Sequence, residues 1–187
     1  MDSIFASLGA RYARRPDSEH TQAIIRLAIV GLFLVYLLGV ATLSRVHAVV
    51  LTTALIYLTV EALVGAGLLA WLTWRPGISH ARRTLGMISD YAAMGMIMSL
   101  SGPELAPLYV GYRGGTIGNG LRYGPRYLFA AILLASLSFL LVILNTPFWQ
   151  QNQELSWGLL AGLVVIPSYL ASLLRSLTRA TAEAHRA

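Results

Sequence analysis

The chain has 187 residues, 56% of them hydrophobic and only 12% charged, and its net charge of +6 is carried by fourteen arginines and no lysine. Soluble domains carry about 25% charged residues, so this composition describes one membrane domain and leaves no room for a separate soluble one. The absence of cysteine excludes disulfides, thiolate catalysis and cysteine-ligated metals.

His20, His47, His80 and His185 form no spaced metal-binding pair, so the sequence implies no metal and no cofactor. Residues 1–16 are short and basic, with Arg11, Arg14 and Arg15. They read as a cytoplasmic tail, or as a surface segment with Ile4, Phe5 and Leu8 in the membrane and the arginines on phosphates. The following apolar run is too long for a signal peptide and has no small-residue cleavage pattern. Asp17 or Ser18 caps a first helix whose apolar span covers residues 24–43. Arg26, near one end, is placed to snorkel.

A turn at residues 44–47 leads to a second span, 48–73, with Trp71 and Trp74 at its far interface. The basic loop 75–83 precedes a weaker third span, 85–101, rich in Met, Ala and Gly. Its Met87, Met94, Met96 and Met98 suit either ordinary core packing or a lipid-like ligand pocket. Residues 102–104 make a tight turn. The fourth span, 105–121, holds Pro107, Arg113, Asn119 and five glycines. Irregular backbone at that depth is tolerated only where protein or a wet cavity covers it. The spacing of Gly111 and Gly115, and of Gly114 and Gly118, predicts close helix approach. The fifth span is 127–145 and the sixth 155–174, with a kink possible at Pro167. Apolar residues continue at three- and four-residue steps beyond Leu174, which predicts a helix running on into the cytoplasm and the input half of a longer protein. The organisation is therefore a juxtamembrane segment (1–23), a bundle (24–174) and the start of a signalling helix (175–187).

The expected fold is all-α, a polytopic membrane helix bundle of six spans with both termini cytoplasmic. Five spans remain if the third and fourth merge or the Gly-rich segment is re-entrant. Six spans put eleven arginines in cytoplasmic segments and Arg45 alone on the opposite side, the bias that short loops obey. Two carboxylates and an arginine then lie inside spans: Glu61, Asp90 and Arg113. A charge at such depth costs about 2.5–3.5 kcal/mol on insertion scales and marks a working part of a membrane protein. Glu61 and Arg113 lie at similar depth and are expected to pair, unless each satisfies itself on backbone, hydroxyl or water. Asp90 is expected near Arg82, Arg83 or Arg122.

Several stretches carry a resemblance: DSEHTQ at 17–22, RPGISHARRTLGMISDY at 75–91, APLY at 106–109, TIGNGLRYG at 116–124, LSWGLLAGL at 155–163 and LLRSLTRATAEAHRA at 173–187. They resemble the transmembrane input region of the RpfC-type hybrid sensor histidine kinases. The resemblance implies a multi-pass protein of the bacterial inner membrane that senses a cis-2-unsaturated fatty acid (diffusible signal factor) in quorum sensing. It also implies a homodimer in the full-length kinase and a signal passed to phosphoacceptor and ATP-binding domains. By resemblance, Asp17, Ser18 and Glu19 take part in signal recognition. Residues 112–116 depart from the family, which has bulky apolar residues before TIGNG where this chain has Arg113-Gly114-Gly115.

A fatty-acid ligand would lay its tail among Met, Ala and Leu side chains. Its carboxylate would need donors such as His20, Arg26, Arg113 or the N–H groups of a broken helix, with Asn119 and Arg122 in the same polar segment. The chain carries no catalytic module, and no nucleic acid is implied; its partners are the fatty acid, membrane lipids and a second copy. The alternatives are a small transporter or channel with an intramembrane polar site, and a lipid-modifying enzyme built on His80, Asp90 and Arg83.

Overall fold

The computed structural model describes residues 18–43, 47–75 and 77–184, with the side chains of 18–20, 174, 175 and 177–184 left aside. Those residues are helical apart from short connections. The helices are α1 (Ser18–Leu43), α2 (Ala48–Trp74), α3 (His80–Met98), α4 (Val110–Tyr123), α5 (Pro125–Asn145), α6 (Pro147–Gln151) and α7 (Gln153–Ala184), with a 3-10 turn over Ala106–Tyr109 ahead of α4.

Among the described residues, four helices are long and apolar enough to cross a membrane: α1 over Thr21–Leu43, α2, α5, and α7 over Gln153–Leu173. The chain is thus a multi-pass membrane protein. Their outward faces carry Leu32, Val35, Val60, Leu63, Leu133 and Val165, all exposed. Apolar side chains all round a helix suit a lipid surround. The other two expected spans are α3, of 19 residues, and the 3-10 turn with α4 behind it. Both are more polar. α4 is a regular helix, whereas the glycines and Pro107 had predicted broken backbone. Pro107 sits at the start of the 3-10 turn, where a missing N–H costs nothing.

α5 is the centre of the bundle, packing on α3, α4, α6 and α7, while α1 packs on α2 and α2 on α3. Ala131 and Ala135, four apart and fully buried, let its neighbours approach closely. Around them lies an aromatic core: the Phe139 ring centroid is 5.0 Å from Tyr109, 5.7 Å from Tyr112 and 5.2 Å from Trp149. Tyr91 stacks on Tyr112 at 6.1 Å. Met87 and Met98 belong to this core, whereas Met96 is exposed.

The connections follow local chemistry. The Ser79 side chain accepts from the backbone N–H of Arg82 and caps α3. Gly124, at φ 89°, ends α4 in a conformation that favours glycine, and Pro125 at once begins α5. α7 continues unbroken through Pro167 to Ala184.

Candidate functional site

Arg26 carries the site's charge, and its position corrects the expectation that it snorkels. Its side chain turns into the bundle and is only 8% exposed. Nε donates to Asp90 Oδ1 at 2.6 Å and Nη2 to Asp90 Oδ2 at 2.8 Å, a bidentate pair. Glu61 Oε1 lies 3.8 Å from the same Nε. Ser89 donates its hydroxyl to Glu61 Oε2 at 2.5 Å. One guanidinium thus bridges α1 to carboxylates on α2 and α3.

Two glycines make room for it. Gly65, four residues after Glu61, would place a Cβ 3.3 Å from Arg26 Cδ, and a Cβ on Gly86, four residues before Asp90, would overlap the guanidinium itself. Residues four apart share a helix face. The repeated pairing of an acid with a glycine therefore builds a slot: the glycines admit the stem and head, and the acids close on the charge. This pairing, Glu61 with Gly65 and Gly86 with Asp90, is the sequence signal that would have found Arg26.

The expected Glu61–Arg113 pair does not form. Arg113 leaves the opposite side of α4 and lies 5.5 Å from the centre of the Tyr109 ring. Its Nη2 reaches α7, 2.9 Å from where a Cβ on Gly162 would stand. Tyr109 donates to the Leu159 carbonyl of α7 at 2.6 Å. Asp90, expected near Arg82, Arg83 or Arg122, has Arg26 as its hydrogen-bonded partner. Arg82 donates to the carbonyls of Arg75 and Gly77, at 3.2 and 2.5 Å. Arg83 lies over the Tyr123 ring at 4.2 Å. His80 is hydrogen-bonded to Tyr127 at 2.5 Å, not part of a cluster with Asp90.

A cavity of about 110 Å³ opens beside Arg26, between α1, α2, α3 and α4. One end is apolar, lined by Phe33, Leu58, Met94 and Ile97; the other is polar, with Gln22, Asn119 and Arg122. The glycines of α4 form one wall. Gly111 meets Met94 and Phe33 closely, as the spacing predicted, but Gly114 has nothing within 4 Å. Gly115 stands in ordinary contact with Tyr91, so this face brings a neighbour close at one position and leaves space at another. Gln22 Nε2 donates to Asn119 Oδ1 at 2.8 Å, Asn119 Nδ2 donates to the Gly115 carbonyl at 2.8 Å, and Tyr123 donates to Gln22 Oε1. This chain of amides ties α1 to α4 across the polar mouth.

A second polar chain lies behind the cavity. Ser138 donates to the Tyr91 carbonyl at 2.6 Å, so its oxygen is left to accept from the Tyr112 hydroxyl at 2.7 Å. Likewise Thr116 donates to the Tyr112 carbonyl at 2.7 Å and accepts from Tyr91 at 3.0 Å. These bonds lock α3, α4 and α5 together.

Among the expected site residues, Arg26, Glu61, Asp90, Asn119 and Arg122 all line this cavity, and Arg113 does not. Ser18, Glu19 and His20 form the first turn of α1, with their side chains outside the description, and Asp17 lies outside the described residues.

No protein-family model matches the chain, and no solved structure matches it. Over all 187 residues it is 45% identical to the sensory/regulatory protein RpfC of two strains of Xanthomonas campestris pv. campestris. The chain spans 26% of the length of these curated relatives, their N-terminal part. Across its whole length, then, it matches an RpfC-type sensor region.

Proposed function

We propose that this chain is the transmembrane signal-input region of a hybrid sensor histidine kinase in the bacterial inner membrane. It binds a cis-2-unsaturated fatty acid of the diffusible signal factor class and passes the signal to a cytoplasmic kinase. The observation that carries this reading is the cavity between α1, α2, α3 and α4, apolar at one end and bearing Arg26, Asn119 and Arg122 at the other. That is the shape an acyl chain with a carboxylate head requires. The similarity to RpfC over the whole chain supports the sensor role.

In this reading α3, and the 3-10 turn with α4, complete six crossings and leave both termini in the cytoplasm. Nineteen residues in α3 reach roughly 28 Å at 1.5 Å per residue, close to the bilayer core. Asp90 of α3 faces Arg26 and the cavity, and Ser89 bonds Glu61. α7 then carries the signal. It touches the 3-10 turn through Tyr109 and α4 through Arg113, and α4 forms a wall of the cavity. A ligand that favours one packing of α4 shifts α7 with it, and a dimeric kinase module reads the shift. A ligand that binds both packings equally does nothing.

Direct binding tests the reading. The chain in nanodiscs is titrated with cis-2-dodecenoic acid, its trans isomer and the saturated acid. Saturable binding that prefers the cis acid is expected, together with a change in spin-label distances across residues 170–184 when it binds. No saturable binding, or unchanged distances with the acid bound, overturns it. Accessibility of single cysteines placed in residues 1–16 and 147–153 tests the topology, with labelling from opposite sides expected.

A further inference from the structure

The cavity holds two arginines, and their surroundings differ. Arg26 is committed: its Nε and Nη2 are both on Asp90, and Glu61 Oε1 lies 3.8 Å from the same Nε. Two carboxylates against one guanidinium make that stretch unfavourable for another anion. Arg122 stands apart. No carboxylate among the described residues holds it, and it lines the cavity at its polar mouth.

The helix explains where its head goes. Side chains on a helix lean toward the N-terminus and cover the turn before their own. Four residues back from Arg122 is Gly118, and Arg122 Nη1 lies 3.8 Å from where the Gly118 Cβ would be. The guanidinium therefore rests on bare backbone at the cavity wall. Beside it is Asn119. Its Oδ1 accepts from Gln22, and its amide nitrogen donates to Gly115 and also interacts with the Tyr91 hydroxyl. Above them the wall continues as Gly115, Gly114 and Gly111 to Phe33 and Met94. From Gly111 to Arg122 the helix rises roughly 16 Å, the reach of a medium-length acyl chain.

We propose that Arg122 is the carboxylate anchor of this cavity, with the acyl tail running toward Phe33, Met94 and Ile97. Arg26 is not the anchor. It holds α1, α2 and α3 together, and the carboxylates beside it keep the anionic head at the mouth. This assignment rests on the fatty-acid reading of the chain and names the residue that would recognise the head.

The experiment compares cis-2-dodecenoic acid with its methyl ester, on the unaltered chain and on Arg122→Gln and Arg122→Lys, in nanodiscs of zwitterionic lipid. A charge-assisted contact gives roughly tenfold to hundredfold in affinity. The unaltered chain is expected to prefer the acid by that factor. Arg122→Gln loses the preference and binds acid and ester alike; Arg122→Lys keeps part of it. Equal binding of acid and ester by the unaltered chain overturns the anchor, and that arm needs no variant to fold. Preference undiminished in Arg122→Gln also overturns it, while the fatty-acid reading stands. Failure of the unaltered chain to bind the acid at all overturns the fatty-acid reading and the anchor with it. A repeat in phosphatidylglycerol nanodiscs separates a free acid from a lipid head. Acid binding abolished there gives Arg122 to a lipid phosphate and overturns the assignment.

Discussion

The guanidinium of Arg26 grips Asp90 with two hydrogen bonds, of 2.6 and 2.8 Å, and so ties α1 to α3. Arg26 lies two turns into α1, since the helix begins at Ser18, and Asp90 lies in the middle of α3. The contact draws a nominally terminal arginine inward and gives the bundle a charged centre. Glu61 completes it from α2, so the three helices share one polar knot.

Breaking that knot on one side is expected to be costly. Arg26→Met leaves Glu61 and Asp90 facing each other with no cation, and removing one partner of a buried pair costs about 3–5 kcal/mol. Replacing all three by apolar residues (Arg26→Met, Glu61→Leu, Asp90→Leu) is expected to restore most of the loss, since no charge then remains to be desolvated. Thermal unfolding in detergent, followed by helical circular dichroism, measures both. A single Arg26→Met with unchanged unfolding would remove the knot from the account of stability.

The slot makes a sharper demand at Gly86. A Cβ there overlaps the Arg26 guanidinium, whose stem is also confined by Gly65, so the head cannot retreat freely. Gly86→Ala is expected to weaken the pair with Asp90 and lower stability by about 1–3 kcal/mol, the range for a disturbed buried network. On an Arg26→Met background the same change is expected to cost little, because the clashing atoms are gone. Equal cost on both backgrounds would mean that Gly86 matters for some reason other than Arg26.

Arg113 was the obvious partner for Glu61 by depth, and the structure gives it to α7 instead. Its Nε is buried with no hydrogen-bond partner among the described residues. Its contact with the Tyr109 ring contributes about 0.5–2 kcal/mol, which the desolvated Nε offsets. Arg113→Met is therefore expected to be near neutral, within about 1 kcal/mol. In a double-mutant cycle, Arg113 and Glu61 are expected to show no coupling beyond about 0.5 kcal/mol, the scatter of independent sites, whereas Arg26 and Glu61 couple. Strong coupling of Arg113 with Glu61 would restore the pair that spacing suggested.

These corrections mark where sequence stops being legible. The long apolar helices α1, α2, α5 and α7 could be read directly, because twenty apolar residues have few other uses. That Glu61 and Asp90 belong to a polar interior could be read too, from the cost of burying them. Their partner could not, because depth along a span fixes one coordinate and leaves the rotation of each helix open. Asp90 and Glu61 face α1 only because α2 and α3 present Gly65 and Gly86 there. The glycines of α4 were ambiguous for a related reason. A missing Cβ makes room, and whether a helix or a cavity takes it depends on the neighbours: at Gly111 it is Met94 and Phe33, at Gly114 it is open space.

The connection after α3 gives a prediction in pH. The Ser101 hydroxyl donates to Glu104 Oε2, and this bond, helped by the residue's own backbone N–H, holds the Glu104 carboxyl below its ordinary range. The Glu104 carbonyl in turn accepts from the Tyr36 hydroxyl at 2.6 Å, which ties the loop to α1. A carboxyl whose pKa is depressed by folding contributes stability that is present above the unfolded value. That contribution fades as the pH falls through the folded value. Ser101→Ala is expected to move the Glu104 titration up toward the ordinary carboxylate range. The variant then loses stability against the parent at neutral pH, and the two converge below the parent's folded value. Carboxyl-carbon NMR of selectively labelled glutamate follows the titration, and a midpoint unmoved by Ser101→Ala would show that the hydroxyl does not hold the charge.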